Sequence, residues 1–320
     1  MKAIVQDRYG SADVLRFEDV ETPIAGRGEV LLRVGAASAF IGDWHIMTGT
    51  PYAIRLMSGL RAPKQRVRGQ DVAGTVEALG DGVTEFRVGD EVFGVGNGAF
   101  AEFATARADR LAAKPTNLGF EEAATVPTTG CTALQGIRDV GKVGTGQRVL
   151  VIGAAGGVGS FAVQIAKAFG AHVTGVCSTS KVDLVRSIGA DDVVDYTRED
   201  IAGTRRYDVI FDTAGNREAS YLRRALTPKG TLVLAGGEGG GRWLGMGRVM
   251  RAKAMSPFVG QKMTNFLGRP KAGDLLVLKG LIEAGKVTPV IGARYPLSDV
   301  PDAIRELGTG HGRGKVVITV

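Results

Sequence analysis

Residues 149–159, VLVIGAAGGVG, carry the pattern with the clearest chemistry in this chain. An apolar run enters a glycine turn, and small and apolar residues continue at helical spacing. A strand, turn and helix of this kind brings backbone N–H groups to one point, where they can hold the pyrophosphate of a dinucleotide. Against the pattern G-x-G-x-x-G, Gly156 and Gly159 fill the second and third places and Ala154 stands in the first. Gly156 and Gly157 let the main chain approach the phosphates, and Val158 places its amide at the start of the helix facing the anion. The alternative is a glycine turn that only packs helix on strand.

About 20 residues further on, a site for NAD would place Asp or Glu at the end of the second strand, to hold the ribose hydroxyls. The strand here ends Cys177, Ser178, Thr179, Ser180, Lys181, with no carboxylate. Hydroxyls with an ammonium suit a 2′-phosphate, so Ser178 and Lys181 point to NADPH rather than NADH. Ser178 or Ser180 could equally cap the helix that follows.

These residues need elements to hold them. With 320 residues, 44% apolar and 23% charged, the chain is long enough for about two domains and is globular in composition. Its 48 glycines are about twice the usual share and follow no collagen-like period. Two cysteines, Cys131 and Cys177, and no C-x-x-C exclude a disulfide scaffold and a paired thiolate metal motif. The uncharged stretch 149–166 has the bare length of a membrane span, but its glycines, Ser160 and Gln164 read as strand, loop and helix, so no membrane partner is expected. The first ten residues hold Lys2, Asp7 and Arg8 and no signal-like apolar run, which points to the cytoplasm. A net charge of +7 favours phosphorylated ligands. No aromatic-rich RNA-binding signature accompanies the basic residues, and nucleic acid is not an expected partner.

Up to about residue 120 the pattern is antiparallel β, with short strands at Val30–Val34, Val72–Ala78, Glu91–Phe93 and Ala99–Thr105. From Glu121 helical spacing sets in, and strands then alternate with helices: Arg148–Ile152, Gly157–Phe169, His172–Cys177, Lys181–Ile188, Val193–Tyr196, Tyr207–Asp212, Arg217–Leu226 and Thr231–Ala235. Repeated β-α-β units imply a doubly wound parallel sheet. A glycine-rich basic segment, Gly236–Lys271, follows. A helix is expected at Asp274–Ala284, and a last strand at Lys315–Val320 returns to the β domain. The fold class is α/β, with a β domain at 1–122 completed by about 287–320 and a nucleotide domain at 123–286.

The opening MKAIV, the turn at Val88–Gly94, GAFAEF at 98–103, TTGCTALQG at 128–136, IGAAGGVG and the ending GKVVITV resemble the medium-chain dehydrogenase/reductases, and most closely their zinc-free quinone oxidoreductases. The resemblance implies a GroES-like catalytic domain built from both termini and a Rossmann domain between them. It implies that Lys181 and Tyr196 contact a 2′-phosphate, that Thr132 lies near the nicotinamide, and that Ala235 and Gly236 form the loop lining the same ring. Zinc members place ligands at positions corresponding to Phe40, Gln70 and the vicinity of Thr128. None of these is an ordinary zinc ligand, so no metal is expected. His45, His172 and His311 are scattered and read as surface or packing residues.

Relatives often carry Asn-Pro before the Asp of the loop that here reads Phe40, Ile41, Gly42, Asp43, Trp44. Trp44 and Tyr52 could stack on an aromatic acceptor or serve as packing, and Asp43 could position a proton-relaying water or cap a turn. Without a Lewis acid, alcohol oxidation is not expected. Hydride transfer from NADPH to a quinone is the leading expectation. Reduction of the C=C bond of enals, enones or enoyl thioesters is the rival, favoured if the basic residues Arg248, Arg251 and Lys253 hold a CoA-like phosphate. A third class, an NADPH-binding sensor or RNA-binding protein with little turnover, stays open. The family often dimerises, and nothing in the sequence decides whether this chain does.

Overall fold

In the first hundred residues, alternation of apolar and polar side chains makes antiparallel strands, and a computed structural model describes them together with the rest of residues 1–236, 260–310 and 312–320. The expected phosphate-holding residues Arg248, Arg251 and Lys253, and His311, lie outside the described residues. Two units form. One comprises Met1–Cys131, Pro270–Glu283 and Pro289–Val320, the other Thr132–Arg269 and Ala284–Thr288.

In chain order, the first stretch gives β1 (Lys2–Val5), β2 (Arg16–Asp19), β3 (Glu29–Ala39), α1 (Ile41–Thr48), α2 (Arg55–Ser58), β4 (Asp71–Leu79), β5 (Glu91–Val95), β6 (Phe103–Arg107), β7 (Leu111–Ala113), α3 (Phe120–Ala124) and α4 (Pro127–Leu134). Next come β8 (Arg148–Ile152), α5 (Gly157–Ala168), β9 (His172–Cys177), α6 (Val182–Ser187), β10 (Asp192–Asp195), β11 (Tyr207–Asp212), α7 (Ala219–Arg223), β12 (Leu226–Leu234) and β13 (Lys262–Asn265). The return is α8 (Ala272–Glu283), β14 (Ile291–Pro296), α9 (Val300–Gly308) and β15 (Lys315–Thr319).

The larger sheet of the first unit runs β14-β15-β3-β4-β5-β7, with β6 also on β3. Its core gathers Ile4, Val30, Leu32, Val72, Val92, Phe100, Leu111, Val316 and Ile318, all buried. α8 joins this unit through Asn117, whose Nδ2 donates to Ile282 O at 2.9 Å, and through the backbone N–H of Thr116, which donates to Glu283 Oε1 at 3.0 Å.

The second unit has the sheet order β10-β9-β8-β11-β12-β13, every pair parallel. Strands β8, β9 and β11 are buried almost end to end, as strands covered on both faces must be. The order reverses between β8 and β11, and in open parallel sheets that switch point is where ligands bind, beyond the strands' carboxyl ends.

Element bounds differ from the sequence expectation where tertiary contacts override local pattern. The strand expected at Ala99–Thr105 begins at Phe103. Ala99–Ala101 are instead buried beside β1, where Ile4 N donates to Phe100 O at 2.9 Å. The helix expected over Arg217–Leu226 shrinks to Ala219–Arg223, because Leu226 opens β12 opposite Tyr207. The helix expected from Lys181 begins at Val182 after a single 3₁₀ turn over Thr179–Lys181.

Candidate functional site

The glycine turn occupies the switch point of the second unit. Gly153 leaves β8 with φ +80°, and Gly156 N donates back to Gly153 O at 3.0 Å, closing the turn before α5 begins at Gly157. A Cβ on Gly159 would lie 2.0 Å from Gly153 O, so this position admits no side chain while helix and strand stay packed. A Cβ on Gly156 would lie 3.3 Å from that oxygen and is nearly accommodated. Packing alone therefore accounts for Gly159, whereas the glycine at 156 suits a ligand that needs close approach to the chain.

Thr213, at the end of β11, stands against this turn. Its Oγ1 donates to Ile152 O at 2.7 Å, and a Cβ on Gly153 would come within 2.6 Å of it. Ala235 and Gly236 complete the floor, their amides donating to Asp212 O at 2.9 and 3.2 Å, and a Cβ on Gly236 would fall 2.0 Å from Thr213 O. The carboxyl ends of β8, β11 and β12 thus bring together the glycines, Ala235 and Gly236. Thr132, in the same unit, packs against Gly268, so close that a Cβ there would be 2.2 Å from Thr132 Oγ1.

At the ends of β9 and β10 stand Ser178, Lys181 and Tyr196. Ser178 makes no capping bond with its hydroxyl. Tyr196 is exposed, with the Arg217 guanidinium 6.0 Å from its ring centroid. Sequence reasoning passed over Asp195. Its carboxylate accepts from Thr179 Oγ1 at 2.5 Å, from Thr197 Oγ1 at 2.7 Å and from Thr197 N at 3.0 Å. These bonds, the Thr179 hydroxyl first, hold its pKa below the usual carboxylate range. Asp195 thereby ties the loop after β9 to the loop after β10, fixing the frame on which Ser178 and Lys181 sit. Burial, with Asp195 nearby, pushes the Cys177 thiol up to about 11, so it is no nucleophile near neutral pH.

The first unit holds a different feature, a buried cluster of charge. Lys315 Nζ lies 3.7 Å from Asp71 Oδ2 and donates to Ala39 O at 3.3 Å, and both side chains are buried. Thr128 donates to Asp71 Oδ1 from its N at 3.1 Å and from its hydroxyl. Asp43 Oδ2 accepts from Phe40 N at 3.1 Å, closing the first turn of α1. Asp43 Oδ1 and Asp71 Oδ2 are buried with no hydrogen-bond partner among the described residues. Arg68, also buried, adds a second cation whose field reaches Asp43. Burial pushes Asp43 up to about 7, with Asp71 adding to the shift while the Phe40 amide, Arg68 and Lys315 oppose it. Burial likewise raises Asp71 to about 6 and lowers Lys315, each against the pull of its partner.

The three residues expected to line an acceptor pocket diverge. Asp43 turns into the cluster. Trp44 packs on α9, close enough that a Cβ on Gly308 would be 2.6 Å from its Nε1, and lines an open cavity of about 510 Å³ with Met47, Thr48 and Ile304. Tyr52 is half exposed, its ring 5.0 Å from the Arg55 guanidinium.

Models of two sequence families match, the alcohol dehydrogenase GroES-like domain over residues 26–116 and zinc-binding dehydrogenase over residues 188–318. The bovine NAD(P)H oxidoreductase RTN4IP1, mitochondrial (Bos taurus), is 34% identical over all of this chain and 89% of its own length. The chain belongs to the medium-chain dehydrogenase/reductase family. Among other members, the chloroplastic NADPH-dependent alkenal/one oxidoreductase of Arabidopsis thaliana is 34% identical over 99% of this chain and 79% of its own. The quinone oxidoreductase structure from Coxiella burnetii superposes with a TM-score of 0.88 at 29% identity, covering 100% of this chain and 99% of that one. The chain is thus an oxidoreductase of the medium-chain family, similar to members that use NAD(P)H. Among the described residues no helix is long and apolar enough to cross a membrane.

A zinc ion of the kind other medium-chain members carry does not fit here. Phe40 offers no donor and lies against the Lys315 ammonium, 5.5 Å from ring centroid to Nζ, and Thr128 is engaged by Asp71. A buried ammonium beside these positions repels a dication, and among the described residues no three His, Cys, Asp or Glu side chains group as a metal site.

Proposed function

We propose that this medium-chain reductase transfers hydride from NADPH to a quinone. The reading is supported by two features taken separately: a glycine turn at the switch point of one unit, and in the other unit Phe40, Thr128 and the Lys315 ammonium at positions that the resemblance matches to zinc ligands or beside them. An acceptor that is polarised before it binds suits such a chain, and a quinone is one. The bound dinucleotide supplies the hydride. Gly156, Gly157 and Val158 would hold its pyrophosphate at the start of α5, while Ala235, Gly236 and Thr132 would border the nicotinamide. Ser178, Lys181 and Tyr196 would take the 2′-phosphate, on the frame that Asp195 fixes. Asp43 turns into the buried cluster, so solvent would supply the proton, and the proposal does not rest on Asp43, Trp44 or Tyr52. The name of the Arabidopsis relative supports a second reading, reduction of the C=C bond of an alkenal or enone.

The test is initial-rate measurement with NADPH and NADH against an ortho-quinone, a para-quinone, a 2-alkenal and a crotonyl thioester. The expected result is fastest turnover of a quinone with NADPH. Lys181→Ala should raise the KM for NADPH by roughly 10- to 100-fold, the worth of a charge-assisted hydrogen bond, and leave the KM for NADH nearly unchanged. Faster turnover of the alkenal would install the second reading. Binding of NADPH without turnover of any acceptor would discard both.

A further inference from the structure

Independently of the nucleotide site, we propose that the segment Tyr52–Lys64 of the first unit is a docking surface for an anionic phospholipid bilayer. Three large aliphatic side chains stand out within five positions: Leu56, Met57 and Leu60 are 72%, 78% and 68% exposed. Most other exposed apolar residues, such as Phe17, Ile24 and Val88, are scattered along the chain. Isolated exposure of that kind is ordinary, whereas a cluster asks for a partner.

The backbone that presents the three residues is held from beneath. Tyr9 Oη donates to Gly59 O at 2.5 Å and lies 2.9 Å from Ser58 Oγ. Gly59 N donates to Arg55 O at 2.9 Å and Lys64 N to Ser58 O at 2.7 Å. The turn needs glycine at 59, where φ is +123° and a Cβ would fall 2.0 Å from Ala62 O. Arg55 is clamped between the Tyr9 and Tyr52 rings, 4.6 and 5.0 Å from their centroids, and its Nε donates to Gly49 O at 2.9 Å. The apolar side chains therefore project from an already ordered loop, and ordering it adds little to the cost of binding.

Charge selects the partner. Between Asp43 and Asp71 the sequence has no carboxylate, while Arg55, Arg61, Lys64, Arg66 and Arg68 all fall there. Arg61 and Lys64 are exposed and form no ion pair among the described residues. The nearby acids Asp7 and Glu18 are already bound to Arg66 and Arg16. Aliphatic side chains projecting beside free cations match the boundary between anionic headgroups and acyl chains, where Leu and Met need no shaped pocket and Arg and Lys reach up to the phosphates. A protein partner would more commonly be gripped through Trp, Tyr or Arg at the centre of the patch. Tyr52, half exposed at the rim, has the amphipathic ring that settles at such a boundary. The expectation of no membrane partner concerned spanning segments, and a surface association needs none.

Flotation of the full chain with vesicles of phosphatidylcholine, alone and with about one-third phosphatidylglycerol, tests this. Binding to the anionic vesicles should be at least about tenfold tighter and should weaken as salt is raised. The variant Leu56→Ser/Met57→Ser/Leu60→Ser should lose vesicle binding while keeping its thermal midpoint and its turnover of a water-soluble acceptor. Arg61→Gln/Lys64→Gln should bind more weakly, and the control Leu276→Ser normally. No association of the unaltered chain with anionic vesicles overturns the proposal. So does full binding by the triple serine variant, or self-association in sedimentation that the triple variant abolishes, which would assign the patch to a second copy.

Discussion

Asp43 shows how burial turns an ordinary carboxyl into a group with a pH signature. Its pKa stands near 7 in the folded chain against 3.8 for an unperturbed Asp. Between these values the folded state binds a proton that the unfolded state releases, so the contribution to stability is full below about pH 4 and is lost as pH rises to about 7. Asp71, raised to about 6, acts in the same direction. Asp43→Asn is neutral throughout, so denaturant midpoints should show wild type losing stability relative to the variant between roughly pH 4 and pH 7. A constant difference across that range would mean that Asp43 is ionised in the folded chain. Lys315 is the complementary case. Replacing it with Met leaves Asp71 buried beside an apolar group, which should cost about 3–5 kcal/mol, and adding Asp71→Asn should restore part of the loss.

Among the elements, two variants in the turn between β8 and α5 would distinguish packing from the proposed binding. Gly159→Ala places a Cβ 2.0 Å from Gly153 O and should destabilise the strand-turn-helix unit by about 1–3 kcal/mol, whatever ligand is present. Gly156→Ala has a nearest contact of 3.3 Å. It should cost under about 1 kcal/mol in stability and yet, on the proposed function, weaken NADPH binding by roughly tenfold or more, because the added methyl would stand where that proposal puts the pyrophosphate. Calorimetry of NADPH binding beside thermal unfolding of the two variants distinguishes the outcomes. If Gly156→Ala binds NADPH as tightly as wild type, the turn only packs helix on strand.

For the whole molecule, the C-terminal residues are part of the first unit's sheet and not a tail. β15 lies between β14 and β3, pairing Val316 with Ala39 and Ile318 with Ala37. Its removal would strip Val316 and Ile318 from the core and leave edges of β14 and β3 unpaired. A chain truncated after residue 314 should therefore fail to show the cooperative unfolding of the full chain, whereas removal of Val320 alone should be tolerated. Circular dichroism through a thermal ramp checks both.

Features whose causes lie within a dozen or so neighbours were legible without a structure. Apolar runs made β8, β9 and β11, the spacing Gly153–Gly159 made the glycine turn, and the hydroxyl-rich end of β9 stood out without a structure. The helix over Arg217–Leu226 failed because a partner strand claimed Leu226, a contact that no local pattern encodes. The acidic and basic groups of the buried cluster were also legible as letters but not as a cluster. Asp71 opens β4 and Lys315 opens β15, and charges at strand ends are ordinarily solvated. Only the register decides otherwise. β3 pairs Ser38 with Asp71 on one side and with Val317 on the other, which carries Lys315 and Asp71 to the same end of the sheet, beside Phe40 and the first turn of α1. Asp195 and Thr179 met in the same way, because β10 lies parallel to β9 with Asp195 opposite Cys177. Strand pairing over long sequence separations sets which charges share a low-dielectric interior, and with it their pKa values.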